Sequence, residues 1–235
     1  MSTADEAEGI SDSRSLHERQ LAGRNMVLRA AAEAFTTRGY AATSIDDIAD
    51  RLNATKGRVY HYFRTKGEIF VGIHRRAIEI VLEAARPIFE SDESATVRQF
   101  HMARVHALSM MTQSSFMRTA VQHTEMSLAS EGRTRQREID EVFELRNSYE
   151  AMFEDVIAEG IANGEFSIRD HKVGAKAVLG ALNWMSVWYS GTLASGQHRQ
   201  AEIADVIATF VVGGLGASHD AIALARECSA FGEPS

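Results

Sequence analysis

Only two prolines, Pro87 and Pro234, occur in 235 residues, so nothing between Met1 and Arg86 carries a ring that would break a helix. A chain rich in Ala, Leu, Glu and Arg with so few breakers favours helices. No alternation of apolar and polar residues persists long enough to read as a strand. With 45% hydrophobic and 24% charged residues, a collagen-like or disordered polymer is excluded, and there is material for one large domain or two small ones. The expected fold class is all-α.

Val27, Ala30, Ala31, Ala34 and Phe35 make an apolar stripe at helical spacing, and Gly39 follows as a stop. This predicts a first helix from about Leu16 to Arg38, after an acidic, polar arm over 1–14 that reads as disordered. Ser44-Ile45-Asp46-Asp47 has the form of a capping box opening a short helix over Ile45 to Leu52, with the short Asp expected to weaken the reciprocal bond. Asn53 tolerates the left-handed conformation that ends it, and Thr55 is an N-cap for a third helix, Lys56 to Tyr62. A longer helix from Gly67 is expected to stop near Pro87, which disfavours the α conformation at Arg86. Beyond the polar gap Glu90 to Ser94, helices are expected over Thr96 to Met111, Phe116 to Leu128, Arg133 to Asn163, His171 to Leu193 and Arg199 to about Leu215. That makes about nine helices in all.

The formal charge of −7 argues at first sight against a polyanionic partner. The average conceals two unlike parts. Arg14 to Ala77 holds twelve basic and six acidic residues, whereas Ile78 to Ser235 holds thirteen basic and twenty-two acidic ones. A basic segment ahead of an acidic one implies two jobs. The single cysteine, Cys228, cannot close an intramolecular disulfide, which fits a reducing compartment. Residues 1–14 lack the basic-then-apolar order of a secretion signal, and no run of about 18 apolar residues appears. The expected location is the cytoplasm, without a membrane partner.

From Arg51 to Gly67 the chain reads RLNATKGRVYHYFRTKG, with five cations and no acid. Such a stretch is most simply a solvated face, and Val59 and Phe63 read as core. Two short helices joined by a tight turn, however, have the proportions of a helix-turn-helix, whose second helix enters the DNA major groove. The free N–H groups and positive dipole end at Thr55-Lys56 attract phosphate, Gly57 permits close backbone approach, and Lys56 and Arg58 can reach groove edges. Tyr60, His61 and the hydroxyls of Thr43 and Thr55 are of the right length to bond phosphate oxygens.

The block from Val27 to His74 resembles the N-terminal DNA-binding domain of the TetR family of bacterial transcription regulators. The resemblance is carried by Ala34-Phe35, Gly39-Tyr40, Thr43-Ser44, Asp47-Ile48-Ala49, Lys56-Gly57, Val59-Tyr60, Tyr62-Phe63 and Lys66-Gly67. Asn53 stands where Gly is usual in that family, and Arg58 where a small or hydroxyl residue is common. The resemblance implies a three-helix DNA-binding head over 15–66, a connecting helix over 67–87, a ligand-binding and dimerisation body over 88–228, and a tail over 229–235. It also implies roles for Thr43 and Ser44 (phosphate), Thr55, Lys56, Gly57 and Arg58 (recognition), and Tyr60, His61 and Lys66 (phosphate).

Beyond the head the residues are less eloquent. No His-Glu-x-x-His or Glu-x-x-His occurs, Cys228 has no readable catalytic partner, and neither a metal, a cofactor nor an enzymatic activity is expected. His101 and His106 read as ordinary polar or half-buried residues. Trp184 and Trp188, both tryptophans of the chain, lie at i and i+4 on one helix face. Core is the plain reading of either alone. With Asn183, Met110, Met111, Phe116, Met117, Met126, Phe143 and Tyr149, they read as the lining of an adaptable apolar cavity with polar handles.

Glu125, Arg146, Tyr149, Glu159-Gly160, Gly164-Glu165-Phe166, Asp170, Asn183-Trp184 and Trp188-Tyr189 are similar to the C-terminal pattern of a lipid-catabolism branch whose effectors are acyl-CoA thioesters. This resemblance implies cations for the CoA phosphates, with Arg104, Arg118 and Arg146 as candidates. Small residues at Gly174, Ala175, Ala177, Gly180 and Ala181, and at Gly213, Gly214 and Gly216, fit a homodimer interface built from the last two long helices. The expected function is a dimeric repressor that binds a palindromic double-stranded operator and is released by a small hydrophobic effector such as an acyl-CoA. A TetR-type sensor of aromatic or cationic drugs is the alternative within the family. A helical carrier or enzyme without DNA binding is the alternative outside it.

Overall fold

A computed structural model describes residues 3–122, 135–190, 196–228 and 231. Among them are ten helices and no strand: α1 (Thr3–Arg38), α2 (Ile45–Arg51), α3 (Lys56–Tyr62), α4 (Lys66–Phe89), α5 (Ala95–Thr112), α6 (Ser114–Gln122), α7 (Gln136–Ala162), α8 (His171–Trp188), α9 (Gln197–Gly214) and α10 (His219–Glu227). The all-α expectation holds. The chain divides into two compact units, Met1–Ile73 and His74–Ser235, and the division falls inside α4.

Several boundaries differ from the sequence expectation. Helix α1 begins at Thr3, not near Leu16, and so runs through most of the segment read as a disordered arm. Ala4, Glu6, Ala7 and Glu8 are strong helix formers. Helix α4 continues through Pro87 to Phe89. Pro87 lies in the final turn, where its ring forfeits the bond to the Glu83 carbonyl but does not end the helix at once, and Glu90 N–H still donates to the Arg86 carbonyl at 3.0 Å. Helix α8 stops at Trp188, with Tyr189 already extended. A tenth helix, without a counterpart in the sequence expectation, follows Gly216 (φ +88°), and the Ser218 hydroxyl caps it by accepting from Ala221 N–H at 3.2 Å.

In the first unit, Leu28, Ala31 and Phe35 of α1, Ile48 of α2, Val59 of α3 and Ile69 and Phe70 of α4 are buried. Phe35, Tyr40 and Phe70 pack edge to face or tilted, with centroids 4.6–6.1 Å apart. The expected punctuation is present: Gly39 (φ +82°) ends α1, and Asn53 (φ 49°) turns the chain after α2. At Gly23 a Cβ would stand 2.1 Å from the Tyr62 hydroxyl, so only glycine admits that ring against α1.

The second unit is organised around α5, which packs against α6, α7, α8, α9 and α10. A helix surrounded on all sides buries polar residues too, here Arg98, Gln99, His101, His106 and Ser109. Most are partnered. Arg98 pairs with Glu159, and His101 Nε2 lies 3.0 Å from the Ala225 carbonyl. Glu165 accepts from the backbone N–H groups of Ala95 and Thr96 and from the Thr96 hydroxyl at 2.8–3.2 Å, tying the loop after α7 to the start of α5. No described helix is long and apolar enough to cross a membrane.

Candidate nucleic-acid interface and effector cavity

The capping box at α2 is complete in both directions. Asp47 N–H donates to Ser44 Oγ at 3.1 Å, and Ser44 N–H donates to Asp47 Oδ2 at 2.8 Å, so the short Asp does not lose the reciprocal bond. The Ser44 hydroxyl and N–H, with Arg38 nearby, hold the Asp47 carboxyl below its ordinary range. Helix α3 then starts at Thr55, whose side chain makes no capping bond. Thr55, Lys56, Gly57, Arg58, Tyr60 and His61 are all exposed, while Val59 and Phe63 turn inward. A Cβ at Gly57 would touch only Thr55 Oγ1, at 3.7 Å, so the first turn of α3 is open to close approach. Lys56 reaches back to Asp46 at 2.9 Å, a contact that raises its pKa. Both partners are largely exposed, so the pair adds little stability and yields readily to a stronger anion.

Two of the expected phosphate contacts do not survive. Thr43 is buried, and its hydroxyl donates to the Gly39 carbonyl at 2.8 Å, closing the turn between α1 and α2. The Lys66 ammonium donates to the carbonyls of Tyr40, Ala41 and Thr43 at 2.9–3.3 Å and lies 4.5 Å from the Tyr40 ring centroid. It gathers three carbonyls of the turn after α1, a role invisible in spacing alone.

The second unit contains a cavity of about 340 Å³. Helix α4 supplies His74, Ala77, Ile78 and Val81; the remaining wall includes His106, Met117, Val142, Tyr149 and Leu179. Arg146, Glu150, Lys176, Gly180 and Asn183 also line it. Arg146, Lys176 and Gly180 are exposed and mark its open side, whereas His106 and Tyr149 are buried. Lys176 pairs with Glu150 there. His106 Nδ1 is 2.9 Å from the Tyr149 hydroxyl. Burial pushes the His106 pKa down to about 4, against a smaller opposing effect from Asn183, and pushes that of Tyr149 up.

Of the residues expected in an effector site, Met117, Arg146, Tyr149 and Asn183 line the cavity. Met110 and Phe116 are buried core away from its lining, Phe143 is half-buried outside it, and Met126 lies outside the described residues. The tryptophans are the largest correction. They share a face as expected, but that face points outward, with Trp184 62% and Trp188 38% exposed. Val173, Val187, Val206 and Phe210 are exposed as well, so α8 and α9 carry apolar stripes to the surface. Arg104 is engaged with Asp205 at 2.7 Å, and Arg118 donates to the Tyr189 carbonyl; neither lines the cavity. Gly174 serves internal packing, since a Cβ would meet Ile168 and Leu215 at 3.2–3.3 Å, while Gly180 and Gly214 have open space before them.

Sequence reasoning does not find His74, Ile78, Val81, His106 or Lys176 as cavity residues. The one available signal is an imidazole at 106 amid the apolar residues of α5.

The model of bacterial regulatory proteins of the tetR family matches residues 27–73, and that of the tetracyclin repressor-like C-terminal domain matches residues 100–215. The chain belongs to the TetR family of bacterial transcriptional regulators. It is a regulator and not an enzyme. The HTH-type transcriptional repressor KstR2 of Mycolicibacterium smegmatis is 25% identical over 190 residues, 78% of this chain and 88% of that one. The structure of the TetR family regulator PfmR from Thermus thermophilus superposes with a TM-score of 0.68 and 27% identity over 80% of this chain and 98% of that one. AibR, in complex with isovaleryl coenzyme A and operator DNA, shares the fold with a TM-score of 0.67 and 20% identity, over 82% of this chain and 97% of that chain. TetR-family regulators bind operator DNA.

Proposed function

We propose that this regulator is a homodimeric repressor whose α3 helices enter successive major grooves of a palindromic operator and which a small hydrophobic effector, an acyl-CoA thioester, releases. The observation that carries the reading is that one helix, α4, belongs to both units and forms a wall of the cavity through His74, Ala77, Ile78 and Val81. An occupant that favours a different placement of α4 would disfavour the half-site spacing of about 34–36 Å that a dimeric helix-turn-helix protein requires. The shift can be no larger than the difference in the effector's affinity for the two states.

On DNA, Lys56 and Arg58 are assigned to base edges. Gly57 gives close approach, and Ser44, Thr55, Tyr60 and His61 are assigned to phosphates. In the body, the acyl group would occupy the cavity, with Arg146 and Lys176 on its open side available to the CoA phosphates. The AibR complex with isovaleryl coenzyme A supports this effector class by likeness of fold. The exposed apolar stripes of α8 and α9 support the dimer, because a monomer rarely leaves so much adjacent apolar surface in water.

A gel shift on the DNA flanking the gene, repeated at several salt concentrations, tests the first half. Binding should weaken log-linearly with salt, and addition of acyl-CoA thioesters should release the DNA. Failure of every acyl-CoA to release DNA or raise the melting temperature, while an aromatic or cationic drug does both, would transfer the reading to a drug sensor. Sedimentation of the Trp184→Ser, Phe210→Ser variant should show a monomer; an unchanged dimer would remove α8 and α9 from the interface.

A further inference from the structure

The wall of the cavity presents a buried imidazole nitrogen that the protein engages only weakly. His106 is 3% exposed and lines the cavity; its Nε2 makes no well-formed hydrogen bond among the described residues, and the Asn183 side chain interacts with the ring only enough to oppose the effect of burial in part. The other ring nitrogen determines what Nε2 offers. The Tyr149 hydroxyl is buried 2.9 Å from Nδ1 and pairs with it. A phenol proton buried without an acceptor is costly, so Tyr149 donates to Nδ1, and the imidazole, neutral because burial depresses its pKa to about 4, carries its proton on Nε2. A buried N–H in the chamber wall that the protein engages only weakly is a specific demand on whatever enters.

Accepting the effector reading above, we infer that His106 Nε2–H is the specificity donor of the cavity and that it selects ligands carrying an uncharged carbonyl oxygen, such as a thioester or ketone, on a hydrocarbon body. Asn183, also in the wall, is amphoteric and adapts to the same oxygen. A carboxylate is disfavoured at this end, because a neutral imidazole cannot repay the desolvation of a full charge; the cations lie at the open side, at Arg146 and Lys176. A saturated chain is disfavoured because it leaves Nε2–H unpaired. A site built around a hydrogen bond rejects the analogue that lacks the bonding atom more strongly than an apolar site rejects a missing methylene.

The test compares ligands that differ only in the carbonyl. Binding of hexanoyl-CoA and decanoyl-CoA to the full-length protein is measured by calorimetry beside hexyl-CoA and decyl-CoA thioethers, and decan-2-one beside decane by thermal shift. The wild type should prefer the carbonyl member at least about tenfold. His106→Leu should erase the preference while retaining the thioether affinity, and His106→Gln, which keeps an N–H donor, should restore part of it. Tyr149→Phe frees the tautomer and should reduce the preference without removing the ring; its circular dichroism melt identifies any variant that has failed to fold. If the CoA pairs fail to bind but decan-2-one outcompetes decane only when residue 106 is a donor, the carbonyl selection stands and the acyl-CoA reading falls. No carbonyl preference in either pair, including absence of binding, or a preference that survives His106→Leu, overturns the inference.

Discussion

In the head the polar side chains proposed for DNA stand in water on one short helix, whereas in the body the cavity wall takes polar side chains from distant helices and buries two of them, His106 and Tyr149. Lys56, Gly57, Arg58, Tyr60 and His61 occupy less than two turns of α3, and all are exposed. His106, Tyr149 and Asn183 belong to α5, α7 and α8, and the first two are buried. A DNA surface needs cations that stay hydrated until phosphate displaces the water. A cavity needs few polar groups, each desolvated in advance, so that a wrong ligand leaves one unpaired.

The contrast is broken most directly at α3. Lys56→Ala with Arg58→Ala should weaken operator binding at least about 100-fold and flatten its salt dependence, with the melting of the body unchanged. Full, salt-sensitive affinity in that variant would show that the exposed cations are only a solvated surface. In the body the corresponding effect appears in pH. Between its ordinary value of 6.5 and about 4, His106 is protonated in the unfolded chain but not in the folded one. The stability of the neutral, buried ring is therefore complete above pH 6.5 and is lost as pH falls toward 4, a loss of about 3 kcal/mol. Tryptophan fluorescence reads this in the body alone, because both tryptophans lie on α8, and His106→Leu should remove that part of the pH dependence. A pH profile identical in wild type and variant would mean that the ring is hydrated.

The smallest effect separates structure from contact within the head itself. Thr43→Val removes the hydroxyl that holds the Gly39 carbonyl while keeping the side chain's shape, and should cost the head about 1 kcal/mol in urea unfolding with operator affinity within about twofold of wild type. A tenfold loss of affinity without loss of stability would return Thr43 to the phosphate contacts. Lys66→Met should behave in the same way, because its ammonium binds three carbonyls of the preceding turn.

Much of the head is legible along the chain because its signals act over a few residues. The capping box at Ser44, the left-handed Asn53 and the stop at Gly39 each depend on neighbours within a turn, and the structure has all three. Thr43 and Lys66 depart from expectation because a hydroxyl or ammonium that could reach a phosphate can equally reach a carbonyl, and only the fold brings residues 39–43 to Lys66. The body's helices are legible as helices, with ends displaced and α10 unforeseen. Its lining is not. Helical spacing correctly puts Trp184 and Trp188 on one face, but periodicity has no sense of inside or outside when two faces of α8 are both apolar: Leu182 and Met185 turn in, and the tryptophans turn out.

The sequence by itself therefore determined the class of fold, the basic character of the segment from Arg51 to Gly67 and the punctuation of the head, since these follow from local propensity, capping and charge. Tertiary structure decided which residues meet: that His106 stands against Tyr149 at a chamber wall, and that the two tryptophans face outward. Such choices depend on how helices far apart in the chain rotate and pack against α5, and that packing minimises the exposed area of the whole body at once, a quantity no single stretch of sequence contains.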